Sequence, residues 1–185
     1  AYAGWPSPDW FDYNPIGTQC DAVRERGLVV VFMGDRLNRL AQFKPAMYLR
    51  GIEQIMLDLA LRADIARAVF ANIRRFYRAY AERIFDAARG KIDIVMTGDD
   101  FGSQAAPLLS PAMWPEFLGE GFAQYAAIAH AHGARVMHHT CGSVRPIIPL
   151  MIERGLDVLQ SLQPEAADMD ACVLKAEFGD RLAFH

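Results

Sequence analysis

Long apolar runs are the first thing this sequence lacks. Its 185 residues hold no stretch of 18 consecutive apolar side chains, so no segment reads as a membrane-spanning helix. Cysteine is scarce. Cys20, Cys141 and Cys172 are too few and too scattered for a disulfide framework, and a reducing, cytoplasmic setting is the expectation. An excess of one charge is missing too. The 19 Lys and Arg against 22 Asp and Glu leave a net charge of −3, which gives no general attraction to nucleic acid. No Gly-x-Gly-x-x-Gly follows a strand-like run, so the dinucleotide-binding fingerprint is absent. The chain opens at Ala1 with no signal-peptide pattern and closes on 181–185, a strand-like run with nothing after it. An edge of that kind invites pairing, so the expectation is a piece of a longer chain or a homodimer.

What is present suffices for a core. Apolar residues make up 52% of the chain, and 185 residues ordinarily build one domain, here 1–185. Residues 28–33 form a continuous apolar run, the pattern of a strand covered on both faces. Pro45 opens a helix carrying Leu49, Ile52, Ile55 and Leu59. Asp64 caps a longer helix with Ile73, Phe76, Tyr80 and Ile84 on its inner face, and Gly90 ends it. The seven arginines from Arg62 to Arg89 alternate with Asp64, Glu82 and Asp86, which reads as a solvated helix face rather than a nucleic-acid surface.

Further strands are expected at 92–97, 135–140, 157–161 and 181–185. Helices separate them: one opened by Ser110 and Pro111, one capped by Ser143 and running through Ile147 to Ile152, and one near 169–178. This alternation implies an α/β fold with parallel strands and right-handed crossovers. Polar residues follow every strand: Asp35, then Asp99 and Asp100, His139 and Cys141, Gln160 and Gln163, and His185. Sites built from many strand ends suit a (β/α)8 TIM-type barrel, of which five strands are a part.

Candidate chemistry gathers at those strand ends. A strand has a side-chain period of two, so His139 and Cys141 share a face, and an imidazole and a thiolate are two of the ligands a zinc site needs. The other reading of the pair is an inert buried His and Cys. Asp99 and Asp100 stand in a glycine-flexed turn, placed for acid–base or ligand work, or for turn formation and helix capping. Arg36 and Arg39 follow the first strand and would grip an anionic group, or sit on the surface as arginines commonly do. Trp5, Trp10, Phe11 and Tyr13 among prolines form a loop that lines a substrate mouth or an interface, or is pinned to the surface by its rings. His130 and His132 lie at a helix C-terminus, where a cation is favoured, and read as structural.

Several stretches together carry a resemblance. Met96-Thr97-Gly98-Asp99-Asp100-Phe101-Gly102-Ser103-Gln104, Leu109-Ser110-Pro111-Ala112-Met113-Trp114, His139-Thr140-Cys141-Gly142-Ser143 and Gln163-Pro164-Glu165-Ala166 resemble the uroporphyrinogen decarboxylase superfamily. Trp5-Pro6-Ser7-Pro8-Asp9-Trp10-Phe11-Asp12-Tyr13 looks like its loop. The resemblance covers essentially the whole chain and matches the middle and later part of that barrel.

It implies one of two chemistries. One branch decarboxylates a tetrapyrrole in porphyrin biosynthesis without a cofactor. The other holds zinc with His-x-Cys and a distant downstream Cys, and passes a methyl group from a corrinoid protein to a thiol or a folate. His139 and Cys141 match the first two ligands, which favours the methyltransferase branch; the third would lie beyond His185. Asp99, Asp100 and Gln104 would then carry catalysis beside the zinc, with Gln163, Arg36 and Phe101 as substrate contacts. A degenerate, non-catalytic barrel is the remaining class.

Overall fold

Five short parallel strands make one sheet, ordered as they occur in the chain. They are β1 (Val31–Phe32), β2 (Ile94–Gly98), β3 (Arg135–His139), β4 (Val158–Gln160) and β5 (Ala183–Phe184), seen in a computed structural model that describes residues 4–33 and 40–185. Seven α-helices flank them among the described residues: α1 (Ile16–Arg24), α2 (Phe43–Arg50), α3 (Ile52–Leu61), α4 (Ala63–Ala88), α5 (Glu120–Ala131), α6 (Ile148–Ile152) and α7 (Ala171–Phe178). Sequential parallel strands with helical crossovers are compatible with part of a (β/α)8 barrel, as the alternation predicts.

Register decides which side chains meet. Thr97 pairs with His138 and His138 with Leu159, while Gly98 pairs with His139 and His139 with Gln160. In a parallel ladder, paired residues point to the same face. One face therefore carries Val95, Val136, His138 and Leu159, all buried in the core that the helices cover. The other carries Gly98, His139 and Gln160. The large buried rings Trp114, Phe70 and Phe85 lie in that core, each worth roughly 1.5–3 kcal/mol relative to exposure.

Three helix starts differ from the pattern read in the sequence. One helix is predicted from Pro45 to Leu59, but Gly51, at φ 80° and ψ 147°, divides it into α2 and α3. Asp64 does not cap α4; Arg62 holds the cap position, and Asp64 sits in the first turn. Ser143 does not cap the next helix either, because a 3₁₀ turn at Arg145–Ile147 begins from Val144 without a side-chain cap. Ser110 Oγ accepts the Met113 N–H at 3.2 Å, as a capping side chain would, ahead of a π-helix at Pro115–Gly119 that leads into α5.

The 28–33 run is also not covered on both faces. Only Val31 and Phe32 pair, and Leu28, Val29, Val31 and Met33 are exposed, because β1 is the edge of the sheet. The arginine-rich face of α4 is solvated and paired, with Arg67–Glu116 at 2.5 Å, Arg78–Glu82 at 2.9 Å and Arg74–Glu120 at 3.1 Å.

Candidate metal centre

Asp100, His139 and Cys141 bring one carboxylate oxygen, one imidazole nitrogen and one sulfur within 4.8 Å of one another. Two loops make this possible. β3 ends at His139, so Cys141 is not placed by a continuing strand. The turn after β2 and the turn after β3 are instead joined backbone to backbone. Gly102 N–H donates to Cys141 O at 3.1 Å and Ser143 N–H to Ser103 O at 2.7 Å. Phe101 N–H donates to Thr140 Oγ1 at 2.8 Å. The contact is so close that a Cβ on Gly142 would lie 2.5 Å from Gly102 C, and one on Gly102 would lie 2.7 Å from Cys141 O. Only glycine fits at both places.

Inside this frame the donors are spaced as ligands are. His139 Nε2 lies 3.6 Å from Cys141 Sγ and 3.6 Å from Asp100 Oδ1. Two ligands of a tetrahedral zinc at its usual bond lengths stand about 3.6 Å apart for N and S and about 3.4 Å for N and O. The donor set and its spacing fit zinc. His139 Nδ1 lies 2.5 Å from Gln160 Oε1. With the amide oxygen accepting, Nδ1 carries the proton and Nε2 keeps its lone pair for the cluster.

The charges follow from the neighbours. Burial would raise the Asp100 carboxyl, but Lys44 Nζ, donating at 3.0 Å, and the Cys141 N–H, donating at 3.2 Å, hold it below the usual carboxylate range. Burial, and then the Asp100 charge, push the Cys141 thiol up. Without a cation the thiol therefore keeps its proton.

Asp99 is spent differently. Its two oxygens accept from the N–H groups of Gln42 at 2.6 Å, Phe43 at 3.0 Å and Lys44 at 2.7 Å, the start of α2. Burial pushes it up to about 6 against the pull of those donors. Gln163 Oε1 accepts the Gly142 N–H at 2.7 Å, bracing the Cys141 turn. Gln104 is exposed, and its backbone oxygen accepts the Ala167 N–H at 2.9 Å. Phe101 is buried on the helical side, stacked on His138 with ring centroids 4.9 Å apart. Arg36 lies outside the described residues. So Asp100, His139, Cys141 and Gln163 are brought together, while Gln104 and Phe101 are not.

Lys44 was not named from the sequence, and Gln160 only as one of the polar residues at strand ends. Gln160 left a signal, a polar residue at a strand end. Lys44 left none, since nothing in a helix start shows which carboxylate it will meet.

A cavity of about 700 Å³ opens over the cluster, lined by Asp100, Lys44 and His139 and by Trp5, Phe11 and Tyr48. The aromatic N-terminal loop thus lines the mouth and is also pinned by its rings: Phe11 meets Tyr80 edge to face at 5.2 Å.

No protein family matches the sequence, and no curated protein matches it. Among solved structures, the fold is similar to a methyltransferase from Methanosarcina mazei. The TM-score is 0.67 and the identity 18%, over 91% of this chain and 46% of that one. The chain spans less than half the length of that structure. The likeness shows the fold.

Two predictions arise here. Gln160→Leu should weaken zinc binding roughly 10- to 100-fold by freeing the His139 ring, as chelator competition would read; unchanged affinity would contradict the role given to Gln160. The second concerns His138, whose Nδ1 lies 2.7 Å from Thr97 Oγ1. Burial holds it down to about 3, against an ordinary 6.5. Below pH 6.5 the unfolded chain takes up a proton that the folded one refuses until about pH 3. Stability should therefore fall with pH across that window, by about 1.4 kcal/mol per unit from this group. His138→Phe should flatten the slope by that amount in urea unfolding at pH 5.5 and pH 4.5.

Proposed function

We propose that this chain is part of a (β/α)8 barrel of the uroporphyrinogen decarboxylase superfamily, on the side that transfers methyl groups with zinc. The observation that carries the reading is the Asp100–His139–Cys141 cluster beside an open cavity. Three protein ligands beside a cavity would leave a tetrahedral zinc one position for a substrate, which is the layout of catalytic zinc rather than structural zinc. The similarity in fold to a methyltransferase supports the same reading.

Asp100, His139 and Cys141 would hold the ion. When bound, zinc supplies the charge that keeps an acceptor thiol as its thiolate at neutral pH. Gln160 fixes the His139 ring. Lys44 keeps Asp100 ionised and balances its charge. The cavity walls would orient the acceptor. In the balanced reaction a thiol and a methylated corrinoid, carried by a partner protein, become a thioether, the demethylated corrinoid and a proton. The new bond is S–C. The methyl–cobalt bond breaks, its electron pair stays on cobalt, and the thiol proton goes to water.

Decarboxylation of a polyanionic tetrapyrrole asks for several cations instead. The described lining of the cavity offers Lys44, already paired with Asp100.

Zinc titration of the purified chain under reducing conditions tests the proposal. One tightly held equivalent, with proton release on binding, is expected. No zinc retained against a weak chelator would remove the reading.

A further inference from the structure

The cavity has a polarity gradient. Its charged and imidazole lining groups, Lys44, Asp99, Asp100 and His139, stand at or bonded to the carboxyl ends of β2 and β3. Away from them the walls are apolar. Five of the 15 lining residues are aromatic, namely Trp5, Phe11, Tyr48, Phe76 and Tyr77, against 11% of the whole chain. That is a threefold enrichment at one place, contributed by the N-terminal loop, α2 and α4.

The rings are only partly taken up by the core. Phe76 lines the cavity and is half-buried, stacked on Tyr80 at 6.0 Å and 10° and met edge to face by Tyr77 at 5.2 Å and by Phe11 at 6.4 Å. Tyr48 is 62% exposed and Phe11 37% exposed. Rings left open around a concave site, with polar groups at one end alone, recognise a flat ring system by stacking and edge contacts. A small aliphatic thiol would leave these walls wet.

Resting on the zinc methyl-transfer reading, we infer that the acceptor's thiol is carried by an aromatic body. The ring system lies among Phe11, Tyr48 and Phe76, and the sulfur points to the free position beside Asp100, His139 and Cys141.

The test compares phenylmethanethiol with cyclohexylmethanethiol, which have similar size, each affinity being expressed per thiolate because the phenyl ring makes the first the stronger acid; 2-mercaptoethanol is the small control. Cobalt(II) replaces zinc in the purified chain, so a thiolate-to-cobalt absorption band reports the metal and its change reports the thiol. Protein fluorescence follows binding in parallel. Phenylmethanethiol should bind about tenfold or more tightly than cyclohexylmethanethiol, as two or three ring contacts allow. Phe76→Leu and, at the exposed mouth, Tyr48→Leu should each erase much of that difference without changing 2-mercaptoethanol binding. Equal affinities for the two ring thiols in cobalt-loaded protein would overturn the inference and leave the metal reading standing. Ring preference by fluorescence, sensitive to Phe76→Leu, with no cobalt band at all would support the aromatic site and sink the metal reading.

Discussion

Cys141→Ala is expected to lower zinc affinity by roughly 100- to 1,000-fold, while Cys172→Ala leaves it unchanged. Structural zinc sites with four ligands bind with about 10–16 kcal/mol, so one ligand carries about 3–4 kcal/mol, and each 1.4 kcal/mol is a factor of ten. Cys141 supplies the softest donor of the cluster, 3.6 Å from His139 Nε2. Cys172 is exposed in the first turn of α7 and belongs to no metal-ligand group among the described residues. Asp100→Asn should fall between the two, because an amide oxygen still reaches but brings no charge. It also separates two pictures of the third ligand: the resemblance places it beyond His185, whereas the geometry offers Asp100. The pH dependence has a definite sign. Burial and Asp100 hold a proton on the Cys141 thiol, and that proton must leave for zinc to bind. Affinity should rise with pH, as competition titrations at pH 6.5 and 8 would read. Unchanged zinc affinity in Cys141→Ala would end the metal assignment.

His139 and Cys141 were legible because they sit in one short motif after an apolar strand. The strands were legible from short apolar stretches between helical patterns, most plainly at β2, where the apolar run Ile94-Val95-Met96 leads into Thr97 and Gly98. Asp100 was legible as a strand-end carboxylate, but its partnership with Cys141, 41 residues away, depends on how two loops lock together. Lys44 meets Asp100 across 56 residues, and no local pattern encodes that. The division of α2 from α3 at Gly51 was hidden because the apolar spacing continues through it. A glycine inside a helical pattern is often tolerated, and here the chain turns at it. The exposure of the 28–33 run was hidden because apolar content says a strand wants cover, not whether it lies at an edge.

Gly142→Ala should destabilise the fold by roughly 2–5 kcal/mol and weaken zinc binding with it. Two effects add. Gly142 has φ +80°, a region an L side chain adopts at a penalty of about 1–2 kcal/mol. Its new Cβ would also lie 2.5 Å from Gly102 C and Ser103 O, and these are backbone atoms that no rotamer change can move. Overpacking of that kind costs about 1–3 kcal/mol. Relief requires the two turns to part, which stretches the Ser143 N–H to Ser103 O bond of 2.7 Å and draws Cys141 away from Asp100. Two controls divide the total. Gly133 has φ +77° with nothing within 4 Å of its added Cβ, so Gly133→Ala reports backbone strain alone. Gly102→Ala reports the steric conflict, since its Cβ would stand 2.7 Å from Cys141 O at an ordinary φ. In a chain of this size each kcal/mol moves the melting temperature by about 2–4 °C, so Gly142→Ala should melt roughly 5–15 °C lower. Gly133→Ala should lose a few degrees and keep full zinc affinity. If Gly142→Ala lost no more than Gly133→Ala and bound zinc equally well, the locking of the two turns would not be what holds Asp100 beside Cys141.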